Sequence, residues 1–410
     1  MRQIVTGTFR SLRVRNYRLF WTGQLVSLCG SWMQTVAIGW LVLKDLHASG
    51  TVLGLVIATQ FLPTLVAGSW GGLIADRFDK RHILMTTQSA LAALAAVLAA
   101  LTLTGVVNLA MVFVVALAIG TVGAFDNPTR QAFVTDMVGP GDLANAVGLN
   151  SAAFNSARIV GPALAGLTIL TVGTGLCFAL NAVSFAAVLA GLAMMRPGEL
   201  YAPTPVVRAR GQVREGLRYA MSVPELKLTL AMMALIGTFA MNFTVVIPLV
   251  AKNTFHGSAA TYGLMSAVMG IGSLAGALFV AGRARPTPGL LVGAAAALGM
   301  LMGAAALAPT RGWEYAALAL TGVAAITYMS TSNSTLQLES RPDMRGRVMA
   351  LYMVLFLGST PIGGPIVGWI GAHAGARWSL AVGAVASLLA AAGGAVPLLR
   401  DRRAVVRLAT

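Results

Sequence analysis

The sequence is poor in charge, in acid and in cysteine. Only 10% of its 410 residues are Asp, Glu, Lys or Arg, against 57% hydrophobic. An ordinary soluble domain cannot cover itself with so little polar surface. The two cysteines, Cys29 and Cys177, both sit inside apolar runs, which excludes a disulfide framework and leaves them as packing residues. The four histidines, His47, His82, His256 and His373, are scattered in or beside loops. No metal-ligand spacing results, so neither a metal nor another cofactor is expected. A phosphate-cradling glycine loop ending in Lys-Ser/Thr is also missing, which argues against direct drive by ATP.

The acids number 13 against 29 Lys and Arg, a net charge of +16. Such an excess has two sources. A nucleic-acid-binding protein gathers its cations on one face, whereas a membrane protein divides them among the loops of one side. Long apolar runs decide between them. A transmembrane helix needs about 20 mostly apolar residues to cross about 30 Å of hydrocarbon. Stretches meeting that test fall near 19–43, 51–75, 83–104, 108–127, 144–170, 173–195, 226–250, 260–281, 288–308, 315–337, 348–371 and 378–399. The first follows Arg10, Arg13, Arg15 and Arg18, as in a signal peptide. It is too long for one and lacks a small-x-small cleavage site, so it reads as a helix that stays in the membrane.

With the N-terminus placed in the cytoplasm, 24 Lys and Arg fall on the cytoplasmic side. Four (Lys44, Lys252, Arg311, Arg377) fall opposite, and Arg158 lies inside a span. This positive-inside pattern predicts that both termini are cytoplasmic, in a bacterial inner membrane. The basic loops are expected to meet anionic lipid heads, not nucleic acid.

The twelve stretches come as six and six. The predicted organisation is an N-terminal half over 1–195, a polar linker with a short amphipathic end over 196–225, and a C-terminal half with a basic tail over 226–410. The halves resemble each other. Gly161-Pro162-Ala163-Leu164-Ala165-Gly166 is echoed by Gly364-Pro365-Ile366-Val367-Gly368, its proline 203 residues later. Leu12-Arg13 is echoed by Leu217-Arg218 at an offset of 205. A repeat of six helices is a pattern of secondary transporters.

The loop after the second stretch reads Gly72-Leu73-Ile74-Ala75-Asp76-Arg77-Phe78-Asp79-Lys80-Arg81. It resembles the G-x-L-A-D-R-x-G-R-K signature of the major facilitator superfamily, with Asp79 in place of the second glycine. Further on come Asp126-Asn127-Pro128-Thr129-Arg130-Gln131-Ala132, Asn145-Ala146 and Ala157-Arg158-Ile159-Val160-Gly161-Pro162. These, with Glu215-Gly216-Leu217-Arg218-Tyr219 and Arg345-Gly346-Arg347-Val348, are similar to the superfamily branch that holds bacterial enterobactin exporters and macrolide and multidrug efflux proteins. The resemblance spans almost the whole chain. It implies an all-α membrane protein of twelve transmembrane helices in two six-helix halves. Two departures stand out. Ala116 occupies the place, four residues before Gly120, where many proton-coupled members carry arginine. After the eighth stretch only Gly282-Arg283-Ala284-Arg285 is left of the loop signature.

The signature loop suggests a cytoplasmic latch built from Gly72, Asp76, Arg77, Lys80 and Arg81. The resemblance implies that Asp76 faces the positive N-terminal end of the eleventh helix near Gly346. The cations would then reach an acid at the foot of the fourth helix. Asp126 is the acid expected there, roughly 27 Å of helical rise below Asn108. It reads as a salt-bridged gate residue or as a proton carrier. The loop also has a plainer reading, as an ordinary positive-inside segment.

Arg158 is the one cation inside a span. With Ser151 and Asn155 it makes a polar face at i, i+4, i+7, for the cargo or for neighbouring helices. The first helix carries a stripe of Gln24, Ser27, Ser31, Gln34 and Thr35, with Trp32 and Trp40 nearby. Asn242 with Thr238, and Tyr328 with Asn333 in the run Ser330 to Ser334, add polar groups in later helices. Together Gln24, Ser31, Trp32, Gln34, Asn155, Arg158, Asn242, Tyr328 and Asn333 are the candidates for a substrate pathway. Interhelical hydrogen bonding is the alternative for each. Gly161, Pro162, Gly166, Gly364 and Pro365 suit close packing and helix bending.

The expected function is a secondary exporter of a small amphipathic molecule, drug-like or a siderophore, by alternating access and proton antiport. A monomer is expected. With 19 methionines, a greasy and adaptable pocket is anticipated. An importer of the same fold is the alternative. A membrane enzyme using Asp76-x-x-Asp79 to hold magnesium and an isoprenoid diphosphate is a distant third, because three adjacent cations oppose the metal.

Overall fold

A computed structural model of the chain describes residues 9–201, 212–283 and 286–409; the side chains of residues 69–76, 140, 212–214, 357 and 398–409 lie outside that description. Every regular element in it is helical. After a 3-10 turn at Arg10–Arg13 come α1 (Arg15–Trp40), α2 (Gly50–Arg77) and α3 (Lys80–Leu103). Then follow α4 (Leu109–Gly139) and α5 (Gly141–Ala193). The chain continues with α6 (Gln212–Ser222), α7 (Pro224–Phe239), α8 (Phe243–Leu249), α9 (Ala259–Ala281), α10 (Pro288–Ala306), α11 (Arg311–Glu339), α12 (Arg345–His373) and α13 (Ala376–Ala409).

Among the described residues ten helical stretches are long and apolar enough to cross a bilayer. Two features separate that number from the expected one. α5 is 53 residues long and its backbone leaves helical geometry at Gly173, where φ is 86°. α11, at 29 residues, falls short on apolarity because its second half carries Thr327, Ser330, Thr331, Ser332, Asn333 and Ser334. The outer surfaces are apolar: Val114, Val183, Leu278 and Leu389 are each more than 60% exposed. In water such surfaces would associate; in hydrocarbon they are solvated.

The fourth predicted stretch ends too early. Residues 128–138, expected as a loop, continue α4 as far as Gly139, where φ of 66° ends it. The reason is a buried face. Phe133, Val134, Met137 and Val138 pack against Tyr17 and Phe20 of α1 and Leu84 of α3. Lipid offers apolar chains no net drive to associate, so this cluster holds by close packing and by hydrogen bonds across it. Tyr17 Oη donates to the Ala146 carbonyl at 2.8 Å and Trp21 Nε1 to that of Leu149 at 2.9 Å.

The described residues divide into two compact units. One takes those within Met1–His47, Thr59–Arg208 and Ser258–Ala267, and the other those within Ala48–Ala58, Ala209–Gly257 and Val268–Thr410. The division cuts across chain order at two corners that are built alike. Leu41–Asp45 and Val250–Thr254 are π-helical turns, each followed by a histidine in the left-handed region, His47 at φ 51° and His256 at φ 47°. Each corner then starts a helix whose first bond is accepted by a serine carbonyl, Ser49 to Leu53 N and Ser258 to Tyr262 N. A His-x-Ser-x4-Gly spacing, His47 to Gly54 and His256 to Gly263, recurs at an offset of 209.

Candidate functional site

The first unit contains a cavity of about 530 Å³ between α1, α4 and α5. Gln24 and Leu28 reach it from α1, Asn127, Arg130, Gln131 and Val134 from α4, and Val147, Asn150, Ser151, Phe154 and Asn155 from α5. The spacing explains the convergence. Asn127, Arg130, Gln131 and Val134 fall at i, i+3, i+4, i+7, and so do Val147, Asn150, Ser151 and Phe154, each set making one helical face.

Arg130 is the sole charged residue in the lining. Its guanidinium bonds Asp126 Oδ2 and also donates to Asn127 Oδ1 at 3.1 Å, both through Nη2. Asp126 stands behind it, 1% exposed. The other carboxylate oxygen accepts from Thr87 Oγ1 and Gln88 Nε2 of α3, each at 2.7 Å. A buried carboxylate holding three donors is a stable structural group. The expected partnership of Asp126 with the signature-loop cations is not what forms. Lys80 Nζ pairs with Asp136 Oδ2 at 2.7 Å instead, ten residues further along α4. Arg81 donates to the carbonyls of Leu192 and Ala193 at the end of α5. Because α4 runs thirteen residues past Asp126, roughly 20 Å, that acid lies well inside the helix and not at its foot.

Elsewhere in the signature loop, Arg77 and Phe78 are exposed. Asp79, the departure from the second glycine, caps α3: its carboxylate accepts from His82 N at 3.0 Å. The backbone of Gly72 and Asp76 continues α2, and the Asp76 side chain lies outside the described residues.

Gln24 and Asn155 line the cavity, as the polar stripes suggested. Other candidates lie within the helix packing. Gln34 Oε1 accepts from Asn181 Nδ2 at 2.7 Å, and Ser31 Oγ donates to the Ser27 carbonyl. Arg158 and Trp32 meet each other: the guanidinium carbon is 5.9 Å from the indole centroid, and Phe154 stands edge-on to the same ring. In the other unit Asn242 sits at the break between α7 and α8 and donates to the Thr238 carbonyl at 2.6 Å. Tyr328 is fully buried, and Asn333 accepts from Gln337 at 2.5 Å. These do not join the cavity between α1, α4 and α5. That cavity is mixed in character: six neutral amides or hydroxyls line it beside Leu28, Val134, Val147 and Phe154. Sequence reading missed Asn127, Arg130, Gln131 and Asn150. Their signal was the i, i+3, i+4 spacing; for Arg130 and Gln131 it was hidden while residues 128–138 were read as a loop.

The Gly-Pro segments mark close helix crossings. A Cβ at Gly54 of α2 would fall on the Gly364 carbonyl oxygen and 2.8 Å from Pro365 Cα of α12. In the first unit, a Cβ at Gly263 of α9 would fall on the Pro162 carbonyl oxygen and 2.9 Å from Gly166 Cα of α5. Gly161 is pressed on α1, its Cβ position 2.5 Å from Trp32 Cβ.

Apolar-faced helices around a polar cavity are the anatomy of a polytopic membrane protein with a solute-sized chamber, and solved structures give its fold. A bacterial homologue of the human lysosomal transporter Spinster, inward-facing and unoccupied, aligns with a TM-score of 0.71 over 93% of this chain and 96% of that one, at 14% identity. A peptide transporter aligns at 0.75 over 94% of both chains, at 13% identity. The fold is that of the major facilitators. The chain belongs to the transmembrane secretion effector family of that superfamily, whose pattern matches residues 6–405. Among curated relatives, the staphyloferrin A transporter of Staphylococcus aureus is 24% identical over 63% of this chain and 64% of its own length. The multidrug efflux pump Tap of Mycolicibacterium fortuitum is 27% identical over 85% and 88%. Macrolide efflux protein A of Streptococcus pyogenes is 24% identical over 84% and 86%.

Proposed function

We propose that the protein is a secondary active exporter of a small amphipathic molecule, either drug-like or a siderophore, working by alternating access in exchange for protons. The observation that carries this reading is the polar cavity of about 530 Å³ inside a helical body whose outer faces are apolar. A chamber of that size suits a small organic solute. Polar groups in a bilayer must turn to a cavity or a partner; Gln24 and Asn155 turn to the cavity and Gln34 to Asn181. The relatives named for multidrug and macrolide efflux support the direction, and the one named for staphyloferrin A transport supports the siderophore class.

In this reading the protein is a monomer of twelve spans in the bacterial inner membrane. α5 contributes two spans, divided at Gly173, and α11 contributes one. The six-helix halves, 1–195 and 226–410, are joined by the linker at 196–225, both termini are cytoplasmic, and the basic loops rest on anionic lipid heads. The loop with Gly72, Asp76, Arg77, Lys80 and Arg81 acts as the cytoplasmic latch. Asp126 serves the site as the fixed counter-ion of Arg130 and not as the proton carrier.

Expression in an efflux-deficient bacterium tests the function. Accumulation of a dye and several antibiotics should fall relative to the empty vector, and a protonophore should abolish the difference. Accumulation equal to the vector for every compound would overturn general drug export. Asp76→Asn should stop transport while the protein still inserts; full activity in that variant removes the latch.

A further inference from the structure

The charge pattern of the cavity says what kind of solute it receives. Among the described residues its lining holds one charged side chain, Arg130, and no acid. Asp126 neutralises Arg130 through their direct ion pair but does not itself line the cavity: it is 1% exposed and held by three donors. The neighbouring groups are oriented to match. The Asn127 carbonyl oxygen is taken by Arg130, which leaves its amide N–H bonds to point elsewhere as donors. A cationic cargo would meet guanidinium and amide donors and no carboxylate facing the cavity, so it would lose its hydration without gaining a counter-charge. An anionic oxygen group would find Arg130 and the amides of Asn127, Gln131 and Asn150 on two adjoining helix faces.

We infer that the cavity between α1, α4 and α5 is an anion-selective subsite, with Arg130 as its recognition residue. Its cargo class is a small molecule that bears a carboxylate or similar anionic oxygen group beside further hydrogen-bonding oxygens. The inference deepens the exporter reading and rests on it for the word cargo, but the binding chemistry stands apart from direction and coupling. Asp126 acts as a tuning residue. It shares the guanidinium with the incoming anion and so keeps the affinity low enough for release.

The test uses the full-length protein, purified in detergent, and three probes: citrate, its neutral triethyl ester, and the ethidium cation. Binding is read from the shift in thermal unfolding temperature. Citrate should raise it in the wild type, and the ester and ethidium should not. Arg130→Lys should weaken citrate binding by roughly tenfold, because the fork geometry is lost while the charge stays. The double variant Arg130→Gln with Asp126→Asn removes both charges together, leaves no buried charge unpaired, and should lose the citrate shift. Asp126→Asn alone should tighten citrate binding, an effect that a merely structural role of the pair does not produce.

A shift with ethidium but not citrate overturns the anion assignment and leaves export standing. A citrate shift that survives in the double variant, an equal shift with the ester, or no shift with any probe overturns it too. The expected pattern in a protein that lowers accumulation of no compound in cells sinks general drug export and leaves the anion subsite intact.

Discussion

Lys80 Nζ lies 2.7 Å from Asp136 Oδ2, with the two side chains only 8% and 14% exposed. The pair joins the first residue of α3 to the last turn of α4, inside one unit. A shielded ion pair gives little net stability when it is intact, yet removing one partner strands a charge at a cost of about 3–5 kcal/mol. Asp136→Ala should therefore lower the thermal midpoint of the purified protein sharply. The exchanged pair Lys80→Asp with Asp136→Lys should recover most of the loss. If Asp136→Ala melts like the wild type, the pair does not hold the loop.

Asp79 carries a pH prediction. Burial pushes its carboxyl pKa up, but the His82 amide and the nearby His82 ring outweigh that and hold it below the usual carboxylate range. A lowered folded value means that the cap stabilises above the unfolded pKa, about 3.9, and loses its effect as pH falls through the lower folded value. Asp79→Ala should cost about 1 kcal/mol at neutral pH, with the gap to wild type closing only in acid. Thermal melts across pH check this; a gap that closes already near neutral pH would overturn it.

The two glycine crossings predict matched defects. Gly54→Leu and Gly263→Leu each drive a side chain into facing backbone, at the Gly364 and Pro162 carbonyls. Overpacking of this kind costs about 1–3 kcal/mol. Both variants should melt at lower temperature, while Gly141→Leu, where a Cβ meets nothing within 4 Å, should not.

The spans and their orientation are open to cysteine labelling. In a background with Cys29→Ser and Cys177→Ser, Ser49→Cys should react with an impermeant maleimide on intact cells. Phe78→Cys should react only after permeabilisation. The reverse pattern inverts the topology.

The apolar runs, the repeat and the superfamily signature were all legible, because each is a pattern of composition or fixed spacing. The end of α4 was not. Thr129, Arg130, Gln131 and Asp136 look like a polar loop until Phe133 and Met137 are seen to bury against α1 and α3. That one misplacement hid Arg130 and Gln131 and put Asp126 at the foot of a helix that runs thirteen residues further. Gln34 failed as a pathway residue for a different reason. Its partner Asn181 lies 147 positions away, beyond any local pattern.

The corners at His47 and His256 have a practical consequence. Because Gly54 and Gly263 follow them at the same distance, and each meets a Gly-Pro segment, the molecule carries two copies of one joint. A lesion placed in one copy has its own replicate in the other, made of the same chain and assayed in the same sample. Where the paired lesions disagree, the difference belongs to the surroundings of the joint and not to the joint itself.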